Sequence, residues 1–202
     1  MNFDKYKTII LDLDNTLYDE RTFLVNSLRQ FNKEHKNLIS TNIDFLIREF
    51  LKFYKENGNH KIYDLFISNY VKKECLNIFL ETLRKPSMFY EEIKLYDGVD
   101  LFIKSYSKNI IIITDGNIAQ QNLKYNYLGL NKLIKNDRII FSDYFGGKNT
   151  SKFLLYAKKR LKLEKEGIVV GDNELSDGVL ANNLGFDFLK VNEKNNLFRK
   201  YM

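Results

Sequence analysis

The chain has 202 residues, of which 44% are hydrophobic and 29% charged, with 10 Gly and one Pro. That length suits one domain, or one domain carrying an insertion, and the composition allows a buried core with a solvated surface and argues against long disordered linkers. The formal charge is +6 and the single cysteine, Cys75, has no intramolecular partner for a disulfide. Lysines are spread along the chain, and the short basic run Lys158–Lys162 falls in a helical pattern. The charge therefore reads as a solvated basic surface rather than a nucleic-acid patch. No stretch approaches the roughly 18 apolar residues needed to span a bilayer, and the N-terminus has no signal-peptide core. The expectation is a soluble cytoplasmic protein that engages neither nucleic acid nor membrane, with an oligomeric state the sequence leaves open.

Taken in order, Lys7–Leu13 is apolar on both faces, the pattern of a central parallel strand. A helical pattern follows around Thr22–Phe31. Ile43, Leu46, Ile47, Phe50, Leu51 and Tyr54 recur at helical spacing, with Thr41 or Asn42 as cap and Gly58 as stop. A longer pattern from Ile62 to Arg84 predicts a helix ended by Pro86, with Cys75 as a core thiol. No buried-strand run occurs between Glu20 and Glu92, so this stretch reads as an inserted helical subdomain. After a helix at "YDGVDLFIKSYSKN" come strands at Asn109–Gly116, Arg138–Asp143, Gly167–Asn173 and Phe186–Asn192. Helices beginning near Ile118, near Thr150 and after Asp177 alternate with them. This βαβ rhythm predicts an α/β fold, a doubly wound parallel sheet with right-handed crossovers. The expected organisation is a core of residues 1–18 and 93–202, with residues 19–92 inserted after the first strand.

Ligand sites of open α/β sheets form at the carboxyl ends of the strands. Those ends carry Asp12, Asp14 and Thr16; Thr114, Asp115 and Gly116; and Asp172 and Asn173, with Asp177 close behind. Gly146, Gly147 and Lys148 precede a helix. Residues two apart in a strand share a face, so Asp12 and Asp14 tend to point together. Two ionised carboxylates about 5 Å apart repel by roughly 3 kcal/mol at an effective dielectric near 20. Either one takes a proton or a cation neutralises the group, and an all-oxygen cluster suits Mg²⁺. His35 and His60 are the only histidines, both in the insertion, which speaks against zinc and His-based triads. Near such a cation a carboxylate can attack phosphorus, a second can act as general acid and base, and a lysine and a hydroxyl can hold the phosphoryl oxygens.

Four stretches, "DLDNT", "ITDG", "FGGKNTSKFL" and "GDNELSD", resemble in order the four motifs of the haloacid dehalogenase-like (HAD) hydrolases, in their phosphatase branch. The resemblance implies a Rossmann-like core and an α-helical cap of the family's first type. It implies Asp12 as nucleophile, Asp14 as acid/base and Thr16 as support at the turn. Thr114, Asp115, Gly116 and Lys148 would bind phosphate, Asp172 would be a metal ligand with Asp12 and the Asp14 backbone carbonyl, and Asn173 and Asp177 would support them. Asn149 stands where relatives commonly have Pro, Asp115 where they often have Asn, and Lys152 is the second choice for the lysine. The implied reaction is Mg²⁺-dependent hydrolysis of a small phosphorylated metabolite, a nucleoside monophosphate or sugar phosphate. A phosphomutase shares this machinery. A dehalogenase needs neither Mg²⁺ nor the second carboxylate, so Asp14 and Asp172 speak against it. Tyr18, Arg21, Tyr54 and Asn117 are the candidates for substrate selection.

Overall fold

The computed structural model describes residues 2–58, 62, 66–84, 92–160, 166–191 and 197–201. Five parallel strands, β1 (Thr8–Leu11), β2 (Ile110–Thr114), β3 (Ile139–Phe141), β4 (Gly167–Gly171) and β5 (Asp187–Lys190), form one sheet in the order β3-β2-β1-β4-β5. Between β1 and β2 lie α1 (Glu20–Glu34), α2 (Ile43–Asn57), α3 (Leu76–Arg84) and α4 (Val99–Tyr106). The helix α5 (Ile118–Tyr127) joins β2 to β3, α6 (Ser151–Arg160) joins β3 to β4, and α7 (Val179–Leu184) joins β4 to β5. This is the doubly wound Rossmann-like α/β core that the alternation of apolar runs predicts.

The strands are Ile- and Val-rich because both faces are covered. Ile10 pairs with Ile111 on one side and Val169 on the other, and Ile113 pairs with Ile140. These residues pack with Phe153 and Ala157 of α6 and Leu180 and Ala181 of α7. The alternate residues Ile9, Leu11, Ile112, Ile168 and Val170 are equally buried on the opposite face. β1 is shorter than its apolar run. The Asp12 N–H still donates to the Val170 carbonyl at 3.0 Å, but the chain then turns, with Leu17 N–H returning to the Leu13 carbonyl at 3.0 Å. Asn15 takes a φ of 56° in that turn, a conformation Asn tolerates better than most residues.

The chain divides into two compact units, one of Met1–Asp19 and Lys94–Met202, the other of Glu20–Ile93. In the second, the ring of Phe31 on α1 meets Phe79 of α3 edge-on at 5.0 Å. Asn42 caps α2, its side chain accepting from the Asp44 N–H at 2.8 Å, and Gly58 ends the helix with φ 64°. The single helix expected over Ile62–Arg84 is corrected here: α3 starts only at Leu76. The cause is tertiary. Val71 forms an antiparallel bridge with Ile39, and both the N–H and the hydroxyl of Ser40 donate to the Tyr70 carbonyl, at 3.0 and 2.9 Å. That carbonyl is lost to a helical ladder, and Lys72, with ψ 136°, lies outside the helical region. Cys75 is buried in the short turn before α3. His60, Pro86, Lys162 and Asn192 lie outside the described residues. Among the described residues no helix is long and apolar enough to cross a membrane.

Candidate active site

The carboxyl ends of β1, β2, β3 and β4 bring four loops together. Asp12, directly after β1, is buried, and the Thr16 hydroxyl from the following turn donates to its Oδ2 at 3.2 Å. Lys148 Nζ, also buried, donates to Asp12 Oδ1 and, at 2.7 Å, to Asp177 Oδ1. Asp177 belongs to the π-type turn Glu174–Gly178 that leads into α7, and the Asn173 N–H donates to its Oδ2 at 3.2 Å. The Asn173 side chain in turn accepts from the Leu175 N–H at 3.0 Å, which starts that turn. Gly171 makes the approach possible, because a Cβ there would overlap the Asp177 carboxylate. Asp12, Asp172 and Asp177 each offer an oxygen within 4.8 Å of the others.

This cluster is electrostatically loaded. Burial pushes Asp12 well above the ordinary carboxylate range; Lys148 pulls it down, and Asp177 and Asp172 push it up again. Asp172 is raised to about 6, first by burial and then by Asp177. Burial alone would lower Lys148, but Asp12 and Asp177 outweigh it and hold the ammonium above its usual value. With all three carboxylates ionised, the one ammonium would leave two negative charges, which one divalent cation would balance. Hard oxygen donors with mutual repulsion fit such a cation. In the metal-free protein the Asp172 shift has a sign. The folded state binds that proton more tightly than the unfolded chain, so this contribution to stability is full below about pH 4 and lost as the pH passes about 6. Thermal melting of chelator-treated protein is expected to show a component that falls across this window and that Asp172→Asn removes. Identical pH slopes for the two proteins would refute it.

Asp115 ties the loops together. Its Oδ1 accepts from the Ser142 hydroxyl and, at 2.9 Å, from the Lys148 N–H, while Oδ2 accepts from the Ser176 hydroxyl at 2.9 Å. One carboxylate thus spans the ends of β2, β3 and β4 and sets the backbone of Lys148. Gly147, with φ 115°, supplies the turn that Lys148 follows. Asn149 donates from its side chain to the Leu175 carbonyl at 3.2 Å, and the Thr150 hydroxyl accepts from the Phe153 N–H at 3.2 Å and caps α6. Lys152 is exposed on α6. The Thr114 hydroxyl donates to the Asp115 carbonyl at 3.3 Å, and Gly116 has φ 104° beside the Gln121 side chain. Asn117 caps α5 by accepting from the Gln120 N–H at 3.3 Å.

Asp14 sits in a separate cage. Its Oδ1 accepts from the Tyr18 hydroxyl and from Lys124 Nζ at 2.8 Å. Its Oδ2 accepts from Gln121 Nε2 at 2.8 Å and from Lys124 Nζ at 2.9 Å. Asp14 is therefore not one of the three clustered carboxylates. Arg21 and Tyr54 belong to the second unit, where the Tyr54 hydroxyl donates to Glu20 Oε2 at 3.0 Å.

The sequence model of haloacid dehalogenase-like hydrolases matches residues 6–185. The chain belongs to that family. Solved structures of the same fold include YfnB from Bacillus subtilis, described as a HAD-hydrolase bound to magnesium, at TM-score 0.67 and 20% identity over 92% of this chain and 86% of that one. A HAD hydrolase of family IA, variant 3, from Entamoeba histolytica gives 0.61 and 19% over 91% and 83%. A Thermotoga maritima protein described as a β-phosphoglucomutase gives 0.57 and 20% over 94% and 89%. These likenesses establish the fold. No curated protein sequence matches the chain.

Four residues of this HAD-like hydrolase escape the motif reading: Gln121, Lys124, Ser142 and Ser176. A signal for the first two exists. Gln121, Lys124, Tyr125 and Leu128 are buried, and they stand at i, i+3, i+4 and i+7, so an amide and an ammonium occupy the face that α5 turns inward. Ser142 and Ser176 carry no such pattern.

Proposed function

We propose that this HAD-like hydrolase is a Mg²⁺-dependent phosphate monoesterase acting through an aspartyl-phosphate on Asp12. The observation that carries this reading is the split between two nearby carboxylates. Asp12 is held by Lys148 and Thr16 within an acidic cluster, while Asp14 is held in its own cage of donors. Mg²⁺, held by Asp12, Asp172 and an oxygen from Asp177 or the Asp14 backbone, would supply charge neutralisation at the phosphoryl oxygens. The residues do the rest. An Asp12 oxygen forms a bond to phosphorus as the bond from phosphorus to the leaving oxygen breaks, and Asp14 gives that oxygen its proton. Asp14 then takes a proton from water as the water oxygen bonds phosphorus and the bond to Asp12 breaks. Lys148, Thr114 and the backbone N–H groups of the Asp115–Gly116 loop hold the transferring group.

Residues 19–92 are the proposed helical cap and residues 1–18 and 93–202 the proposed core, a division supported by the compact units Glu20–Ile93 and Met1–Asp19 with Lys94–Met202, and Arg21 and Tyr54 are the cap's candidates for selectivity. Tyr18 and Asn117 are the core's selectivity candidates, although both already hold intramolecular bonds. The substrate class is a small phosphorylated metabolite, a nucleoside monophosphate or sugar phosphate, and not a nucleic acid. Release of inorganic phosphate from 4-nitrophenyl phosphate and from a metabolite-phosphate panel is expected with Mg²⁺ and is expected to stop with chelator. Halide release from a 2-haloacid that is insensitive to chelator would turn the reading toward a dehalogenase. A requirement for a sugar bisphosphate would turn it toward a phosphomutase.

A further inference from the structure

We propose that Lys124 and Gln121 are positioning residues that fix Asp14 for proton transfer, and that Asp14 Oδ1 is the oxygen that carries the proton. The inference rests on the acid/base role given to Asp14 above. An ionised carboxylate offers about four acceptor sites. Here Tyr18, Gln121 and the two contacts of Lys124 occupy them all. The two oxygens differ in what holds them. Oδ2 faces Gln121 Nε2 and Lys124 Nζ, nitrogen donors that accept nothing, so a proton arriving there would face two others. Oδ1 faces Lys124 and a tyrosine hydroxyl, and a hydroxyl can turn from donating to accepting. Oδ1 can therefore exchange the Tyr18 bond for a proton while Oδ2 stays gripped.

Two further observations separate this from an incidental ion pair. Lys124 is fully buried on α5, where an ammonium is costly unless it is paired. Gln121 Oε1 is buried and accepts no hydrogen bond among the described residues. The opposite amide orientation would aim Oε1 at the carboxylate, so the orphaned oxygen is the consequence of keeping Nε2 on Asp14. Gly116 is also fitted to this side chain, since a Cβ there would meet Gln121 Nε2 at 3.0 Å.

The test compares leaving groups. The value of kcat/KM reports steps up to departure of the leaving oxygen. An alkoxide needs the proton from Asp14 at that point, whereas 4-nitrophenolate departs without it. Lys124→Met is expected to lower kcat/KM for an alkyl phosphate from the panel by about 10²-fold, and for 4-nitrophenyl phosphate by about threefold or less. Gln121→Met is expected to act in the same selective direction by about tenfold on the alkyl ester. Equal losses for both esters would mean a structural role and would overturn the proposal, as would no loss. Should Lys124→Met not fold, the ratio in Gln121→Met decides by the same criterion. Wild-type protein that hydrolyses neither ester with Mg²⁺ would defeat the phosphatase reading itself, and the proposal with it. That outcome is distinct from hydrolysis with an unchanged leaving-group ratio.

Discussion

Asp12→Asn is expected to lower phosphate release by at least about 10⁴-fold while leaving the metal-free protein as stable as the wild type, or more so. The activity loss follows from the proposed covalent step, since an amide oxygen does not form the aspartyl-phosphate bond. The stability expectation comes from the surroundings. Asp12 is buried, and burial together with Asp177 and Asp172 disfavours its charged form. A neutral isostere removes one of three clustered charges. The hydrogen bonds survive the change: the amide oxygen can still face Lys148, and the Thr16 hydroxyl can turn to accept from the new NH₂. Lys148 also keeps Asp177 at 2.7 Å. Phosphate release and thermal melting in chelator near pH 7.5 check both halves. Substantial residual turnover would remove Asp12 as nucleophile, and a large fall in melting temperature would show that its charge was structural.

The core was legible because its signals are local. Ile9–Leu11, Ile110–Ile113 and Ile168–Val170 are apolar on both faces, and the structure buries both. Asp12, Asp172, Asp177 and Lys148 were legible because carboxylates and a lysine at strand ends have few structural reasons to be there, and the fold brings their side chains together. Where the reading failed, the deciding partner lay far off in sequence. The helix expected from Ile62 is interrupted because Ser40, about 30 residues earlier, takes the Tyr70 carbonyl. The spacing of Gln121, Lys124, Tyr125 and Leu128 puts Lys124 on the inward face of α5, but it does not name its partner, Asp14, 110 residues earlier. The triple attachment of Asp115 to Ser142, Lys148 and Ser176 is equally non-local. Charge at a strand end thus announces itself in sequence, whereas the donors that hold that charge do not.

Lys148→Met is the converse experiment, and its stability effect should carry the opposite sign. Lys148 is the ammonium bonded to both Asp12 and Asp177, and it is buried with them. Removing one partner of a buried ion pair leaves uncompensated charge and costs about 3–5 kcal/mol. Here the remaining charges are carboxylates that already repel one another, and Asp172 is already raised to about 6. The cost is therefore expected to be greatest above about pH 6 and to shrink on acidification, as the carboxylates take protons. A divalent cation should recover part of it, because it neutralises the same oxygens. Activity is expected to fall by about 10³-fold, the scale of losing a donor that stabilises developing charge. Melting temperatures of wild type, Asp12→Asn and Lys148→Met, with chelator and with Mg²⁺, then form one comparison. Both variants are strongly impaired in the proposed reaction, yet metal-free stability should be held or rise in the first and fall in the second. If Lys148→Met melts with the wild type at pH 7.5, the lysine does not balance the cluster, and the charge argument for a divalent cation at Asp12, Asp172 and Asp177 falls with it.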